Sequence, residues 1–322
     1  MDHLRRLGNS ISIPIPPDEN GFTGRECPNS DCEGYFKIEF GTGFKGKGLP
    51  CHCPYCGHTA GHDRFMTKAQ VEYFKSVALR RVTDAFYEDL KKLEFDHRPS
   101  GGLGIGMSMK VKRDGPTPIH YYREKRLETE VVCSSCTLRY SVYGVFAFCP
   151  DCGQHNSLQI LAKNLDMVEK MVDLAAGIER ELRDKVTENA LENCVSAFDG
   201  FGRELCRLYA RKARSGTKPE EVSFQNLDVA RTRLLALFGV DLSAKVSVDD
   251  WRGATKSFQK RHLVAHKLGV VDRSYLAKTG DSGAVLGRKI LIGADEVKRL
   301  AKPIRTLASG MLANLQELGE SE

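Results

Sequence analysis

Cys133-Ser134-Ser135-Cys136, twelve further residues, then Cys149-Pro150-Asp151-Cys152-Gly153: this stretch decides how the front of the chain is read. Two Cys-x-x-Cys turns offer four thiolates, and Zn²⁺ prefers four soft ligands in a tetrahedron. The twelve residues between the turns, 137–148, are rich in β-branched and aromatic side chains, as a hairpin joining two metal-binding turns requires. Pro150 and Gly153 suit a tight turn that aims backbone amides at sulfur.

Working outward, a second group lies upstream. Cys27 and Cys32 are followed after twenty residues by Cys53-Pro54-Tyr55-Cys56-Gly57, which repeats the form of the Cys149 turn. That likeness selects Cys27, Cys32, Cys53 and Cys56 as ligands. Cys51 is a spare, and replacement of one ligand by Cys51 or His58 stays open at this level. Each group resembles a zinc ribbon, the first with a longer insert over 33–52. Four protein ligands leave no open position, so both zinc ions are expected to be structural. Zinc ribbons bind nucleic acid or protein partners. Lys45, Lys47, Tyr121, Tyr122, Arg123, Lys125 and Arg126 are candidates for a basic, aromatic surface.

The wider composition agrees. The chain has 322 residues, a length that suggests two or three domains. Nine of its eleven cysteines fall between Cys27 and Cys152. Clustered cysteine pairs in a chain read as cytoplasmic point to metal rather than disulfides. Cys194 and Cys206 stand singly in a helical pattern and read as small core residues. No apolar run approaches the ~20 residues that a membrane span needs, and the first residues lack the apolar core of a signal peptide. The net charge of +6 is spread over both halves, which permits a nucleic-acid partner without demanding one.

Four segments follow: 1–66 with the first ribbon, a linking helix over 67–95, the second ribbon over 96–158, and a helical domain over 159–322. Thr67 reads as a helix N-cap, with apolar residues from Val71 to Leu90 at helical spacing. The glycine run 101–106 lacks the Gly-Lys-Ser/Thr ending of a phosphate loop and is read as a plain loop. Beyond Asn164 the pattern is helical throughout. One amphipathic face spans 165–186, and further helices are predicted over 190–212, closed by Gly216, then 227–238, 249–268 and 294–318. No internal repeat is evident.

Inside the 249–268 helix stands Phe258-Gln-Lys-Arg261-His262-Leu-Val-Ala-His266-Lys-Leu-Gly269-Val-Val-Asp272. It resembles the HEPN superfamily, the helical bundles of prokaryotic toxins, CRISPR effector nucleases and defence proteins. The signature is an Arg, four to six residues, then His, with a polar residue after the Arg. Arg261, His262 and His266 fill those places, although Asn or Asp is the more familiar follower. A second match by spacing, Arg113 and His120, sits among Gly115, Pro116 and Pro118 and cannot be helical. The resemblance covers 160–322 and implies a homodimer that joins two motifs across one cleft. It also implies metal-independent RNA cleavage leaving 2′,3′-cyclic phosphate ends. Arg261 would face the phosphate, and His266, assisted by His262, would move protons.

The expected architecture is therefore multidomain: two small β-rich zinc ribbons and an all-α HEPN-like bundle. The expected activity is an endoribonuclease of a defence or toxin system, with RNA as partner and the ribbons free to recruit RNA or a protein. The alternative is a non-catalytic zinc-ribbon protein that binds nucleic acid and dimerises through its helices.

Overall fold

The computed structural model describes residues 2–8, 10–43, 50–97, 107–214 and 218–320. Lys45, Lys47, the glycine run 101–106 and Gly216 lie outside the described residues. The chain divides into two compact units, Met1–Gln154 and His155–Glu322.

The first unit holds, in chain order, α1 (Asp2–Arg6), β1 (Phe22–Glu26), β2 (Tyr35–Glu39), β3 (Cys51–His52), β4 (Thr59–Ala60), α2 (Lys68–Lys91), β5 (Phe95–His97), β6 (Met107–Met109), β7 (Thr129–Val132) and β8 (Arg139–Val142). Four strands form one antiparallel sheet in the order β1-β2-β8-β7. The two cysteine groups, separate in the sequence, thus share a sheet. They also share a core, in which Phe36, Ile38, Phe65, Leu138, Tyr140 and Val142 are buried.

That sheet has a local two-fold character. Glu26 faces Tyr35 across β1–β2, and Val132 faces Arg139 across β7–β8. Each pair flanks its own first cysteine in the same way. At the centre, Lys37 faces Ser141, and each stands five residues beyond the second cysteine of its group. Two copies of one ribbon therefore meet along β2 and β8. The repeat is invisible as overall sequence similarity, because only backbone register and the cysteine turns are duplicated.

Thr67 caps α2 as expected: its hydroxyl accepts from the Gln70 amide, and the Gln70 side chain accepts from the Thr67 amide. The segment 110–122 runs along this helix as a strap. Arg113 pairs with Asp84, Thr117 meets Thr83, and the His120 amide donates to Ser76. The Arg113/His120 pair is thus irregular chain, in line with its prolines.

The second unit is helical: α3 (Ser157–Ala175), α4 (Arg180–Leu208), α5 (Leu227–Phe238), α6 (Val248–Lys267), α7 (Arg273–Thr279) and α8 (Ala294–Glu320). Phe198 sits at its centre, in ring contact with Phe201, Phe224 and Phe258. The amphipathic face read over 165–186 is in fact two helices. The chain turns at 176–179, around Gly177, and α4 then runs to Leu208 as one rod. Both helices turn their apolar stripes to one core, so periodicity runs across the break. α7 carries no signal in the sequence, because its seven residues are too short for a periodic pattern. Among the described residues no helix is long and apolar enough to cross a membrane.

Candidate metal centres and an exposed histidine pair

Each metal centre joins two turns that the sheet brings together. In the first, Cys27 leaves β1 and Cys32 precedes β2. Cys53 and Cys56 belong to the turn between β3 and β4. The sulfurs of Cys27 and Cys56 lie 3.7 Å apart and those of Cys32 and Cys53 3.8 Å apart. In the second, Cys133–Cys152 is 3.7 Å and Cys136–Cys149 3.5 Å. A tetrahedral ion with metal–sulfur bonds of about 2.3 Å requires sulfur–sulfur edges of about 3.8 Å. All four sulfurs of each group lie within 4.8 Å of one another, so both donor sets fit a tetrahedral Cys₄ metal site.

Backbone geometry supports the sulfurs. The Cys53 amide donates to the His58 carbonyl and the Gly57 amide to the Cys53 carbonyl; Cys149, Gln154 and Gly153 repeat this. Gly57 and Gly153 both adopt left-handed conformations, φ 72° and 70°, which glycine takes without strain. Burial pushes the Cys27 thiol up to about 11 and Cys136 to about 12. Burial also opposes ionisation of Cys133, yet the amides of Cys136 and Ser135 and the neighbouring thiols bring it below its ordinary value. A divalent cation held by four such thiols would displace their remaining protons.

The ligand question left open by the sequence is resolved by position. Cys51 is fully buried outside both groups, and burial raises its thiol to about 12. His58 is exposed and contributes its carbonyl to the turn.

The second candidate site is the end of α6. His262 and His266 are both exposed, and their ring centroids lie 4.8 Å apart, one helical turn from each other. Partial desolvation, then the charges of His266, Lys267 and Lys278, lower the pKa of His262 against the weaker pull of Asp272. Its imidazole is therefore neutral at pH 7. Leu268 ends the helix in the left-handed region at φ 53°, and the Gly269 amide donates to Leu263 at 2.9 Å. Asp272 binds Lys267 and caps α7 by accepting from the Tyr275 amide at 2.7 Å.

Arg261 has a different setting. It is 8% exposed. Its Nη1 donates to Gln225 Oε1 at 2.9 Å and its Nη2 meets Glu192 Oε1 at 3.4 Å, while Nε is buried without a hydrogen-bond partner. Gln225 is itself held by Asp199 of α4, which also accepts from the Phe224 amide at 2.5 Å. Within one chain, then, the guanidinium faces α4 and the loop before α5, while the imidazoles face solvent. Glu192, Asp199 and Gln225 were not singled out in the sequence. Polar residues on a long charged helix carry no signal of what they will hold.

Compared with family models, with curated proteins and with solved structures, the chain gives no match.

Proposed function

We propose that this protein is a metal-independent endoribonuclease of HEPN type, with a Zn²⁺ ion in each Cys₄ site of its first unit. The observation that carries the reading is the solvent-facing pair His262 and His266, 4.8 Å apart at the end of α6. Cleavage by transesterification needs a base for the ribose 2′-OH and an acid for the departing 5′-oxygen. Neutral His262 takes the hydroxyl proton, the 2′-oxygen bonds to phosphorus, and the bond to the 5′-oxygen breaks as His266 protonates it. The products are a 2′,3′-cyclic phosphate and a 5′-OH.

Arg261 supplies the cation in this reading, and it reaches a phosphate only if Glu192 releases it. The 3.4 Å contact is the weaker of its two bonds, and Glu192 is 44% exposed. Pairing of two copies through the histidine face brings two motifs to one cleft. A defence or toxin role rests on the resemblance alone.

The test is cleavage of single-stranded RNA in EDTA by the native chain and by His262→Ala, His266→Ala and Arg261→Ala. The expected result is cyclic-phosphate products from the native chain, a loss of 10²-fold or more in each histidine variant, and uncut DNA. Equal rates in all four proteins end the catalytic assignment. A second reading is favoured by the burial of Arg261: the helices pair two copies, and the protein binds nucleic acid without cutting it. It expects salt-sensitive binding that is indifferent to His266.

A further inference from the structure

The strap over α2 presents an aromatic surface that the cleavage chemistry does not use. Tyr121 is 78% exposed, and its ring lies 6.1 Å from that of Tyr73 on α2. Tyr73 in turn touches Tyr122 at 5.7 Å and Phe74 at 6.0 Å. The Tyr121 ring thus leans on an aromatic cluster at an interplanar angle of 40°, while it stays largely open to solvent. The strap is anchored close by, through the His120 amide to Ser76 at 3.0 Å.

Exposure alternates beyond Tyr121. Tyr122 and Glu124 are half-buried, whereas Tyr121, Arg123 and Lys125 are exposed, the period of an extended chain. Glu124 is occupied by Tyr35, and Lys125 lies over the Tyr35 ring at 5.0 Å. Arg123, two residues beyond Tyr121, is exposed on the same side of the chain. Residues 107–128 carry six Lys/Arg against three Asp/Glu, in a chain whose net charge is only +6.

An exposed aromatic ring with a guanidinium two residues on along the same side of an extended chain matches a nucleobase joined to a phosphate backbone. We propose that Tyr121, in ring contact with Tyr73 and followed on the same exposed side by Arg123, is a binding site for single-stranded RNA, with a base stacked on Tyr121 and a phosphate on Arg123. The choice of RNA rests on the ribonuclease reading above; the stacking chemistry itself does not.

The experiment uses the full chain carrying His266→Ala, so that bound RNA survives, and a fluorescently labelled single-stranded uridine 12-mer followed by anisotropy. Tyr121→Ala is expected to weaken binding at least about fivefold, the effect of losing one stacked base. Tyr121→Phe keeps the affinity. Arg123→Ala weakens binding and flattens its salt dependence. Zinc content and circular dichroism confirm that each variant is folded. No binding by the parent, or Tyr121→Ala within twofold of it, overturns the proposal. Binding that depends on Tyr121 in a protein that cuts no RNA sinks the nuclease reading alone.

Discussion

The amide of His52 donates to the carbonyl of Pro150 at 2.8 Å, and the relation is mirrored by Phe148 donating to Pro54 at 2.8 Å. Each donor precedes the first cysteine of one turn, and each acceptor is the proline inside the other. The rings follow the same exchange: His52 lies on Gly153, and Phe148 on Gly57. The two metal-binding turns are locked back to back, on top of the β2–β8 pairing.

Metal binding at the two sites is therefore expected to be coupled through folding. Cys136→Ser removes one ligand from the second site only. Loss of that ion frees the Cys149 turn, and with it the carbonyl and ring that hold the first site. The expected outcome is zinc content well below one ion per chain, against the two expected of the native protein. Elemental analysis of the purified chain reads this directly. Retention of one full equivalent would mean that the sites fold independently.

Glu204 gives the helical unit a pH limit. Burial alone would raise its carboxyl, but Arg207, bonded at 2.6 and 2.8 Å, and His155 at 3.2 Å hold it down at about 2. An unfolded glutamate titrates near 4.3. The folded pKa is thus depressed, so the contribution is complete above about pH 4.5 and is lost as pH falls toward 2. Its size is on the order of 2–3 kcal/mol. Urea midpoints between pH 6 and pH 3 should fall for the native chain. Glu204→Gln should lower the midpoint at pH 6 and flatten that slope.

Arg261 and His266 are expected to separate cleanly in stability measurements. Arg261→Ala leaves Gln225 and the loop held by Asp199 without their cation, in a setting that is 8% exposed. A loss of about 1–3 kcal/mol follows, from the hydrogen bond to Gln225 and the packing of the buried stem. His266→Ala removes an exposed ring and should stay within about 0.5 kcal/mol. Urea denaturation of the two variants decides it. An Arg261→Ala protein as stable as the native chain would mean that the guanidinium is not a tie between α6 and α4.

Some of this was legible in the sequence, for physical reasons. Eight cysteines at fixed spacing announce their partners, because few other arrangements satisfy a tetrahedron. The α5 limits match the predicted 227–238, where Asn226 caps one end and Gly239 at φ 70° the other. The α3–α4 turn leaves no mark on the pattern, because two helices facing one core keep a common periodicity. The pairing of β2 with β8 joins residues about a hundred positions apart, and nothing local encodes it. At the candidate site, spacing picked out Arg261, His262 and His266. The burial of Arg261 against Glu192 and Gln225 depends on where α4 lies, which no window around the motif contains.

Leu268 is the last residue to test. It holds φ 53°, a region that costs a non-glycine residue roughly 1–2 kcal/mol, and it is 87% exposed, so its side chain recovers little by packing. Gly269 follows at φ 79°, and the pair turns the chain from α6 toward α7. Leu268→Gly keeps the backbone path and removes the strain, at the expense of some unfolded-state entropy. The expected net effect is a gain of up to about 1 kcal/mol, seen as a higher Tm that does not depend on protein concentration. A lower Tm, most marked at high concentration, would mean instead that the exposed leucine is covered when two copies of the histidine face meet.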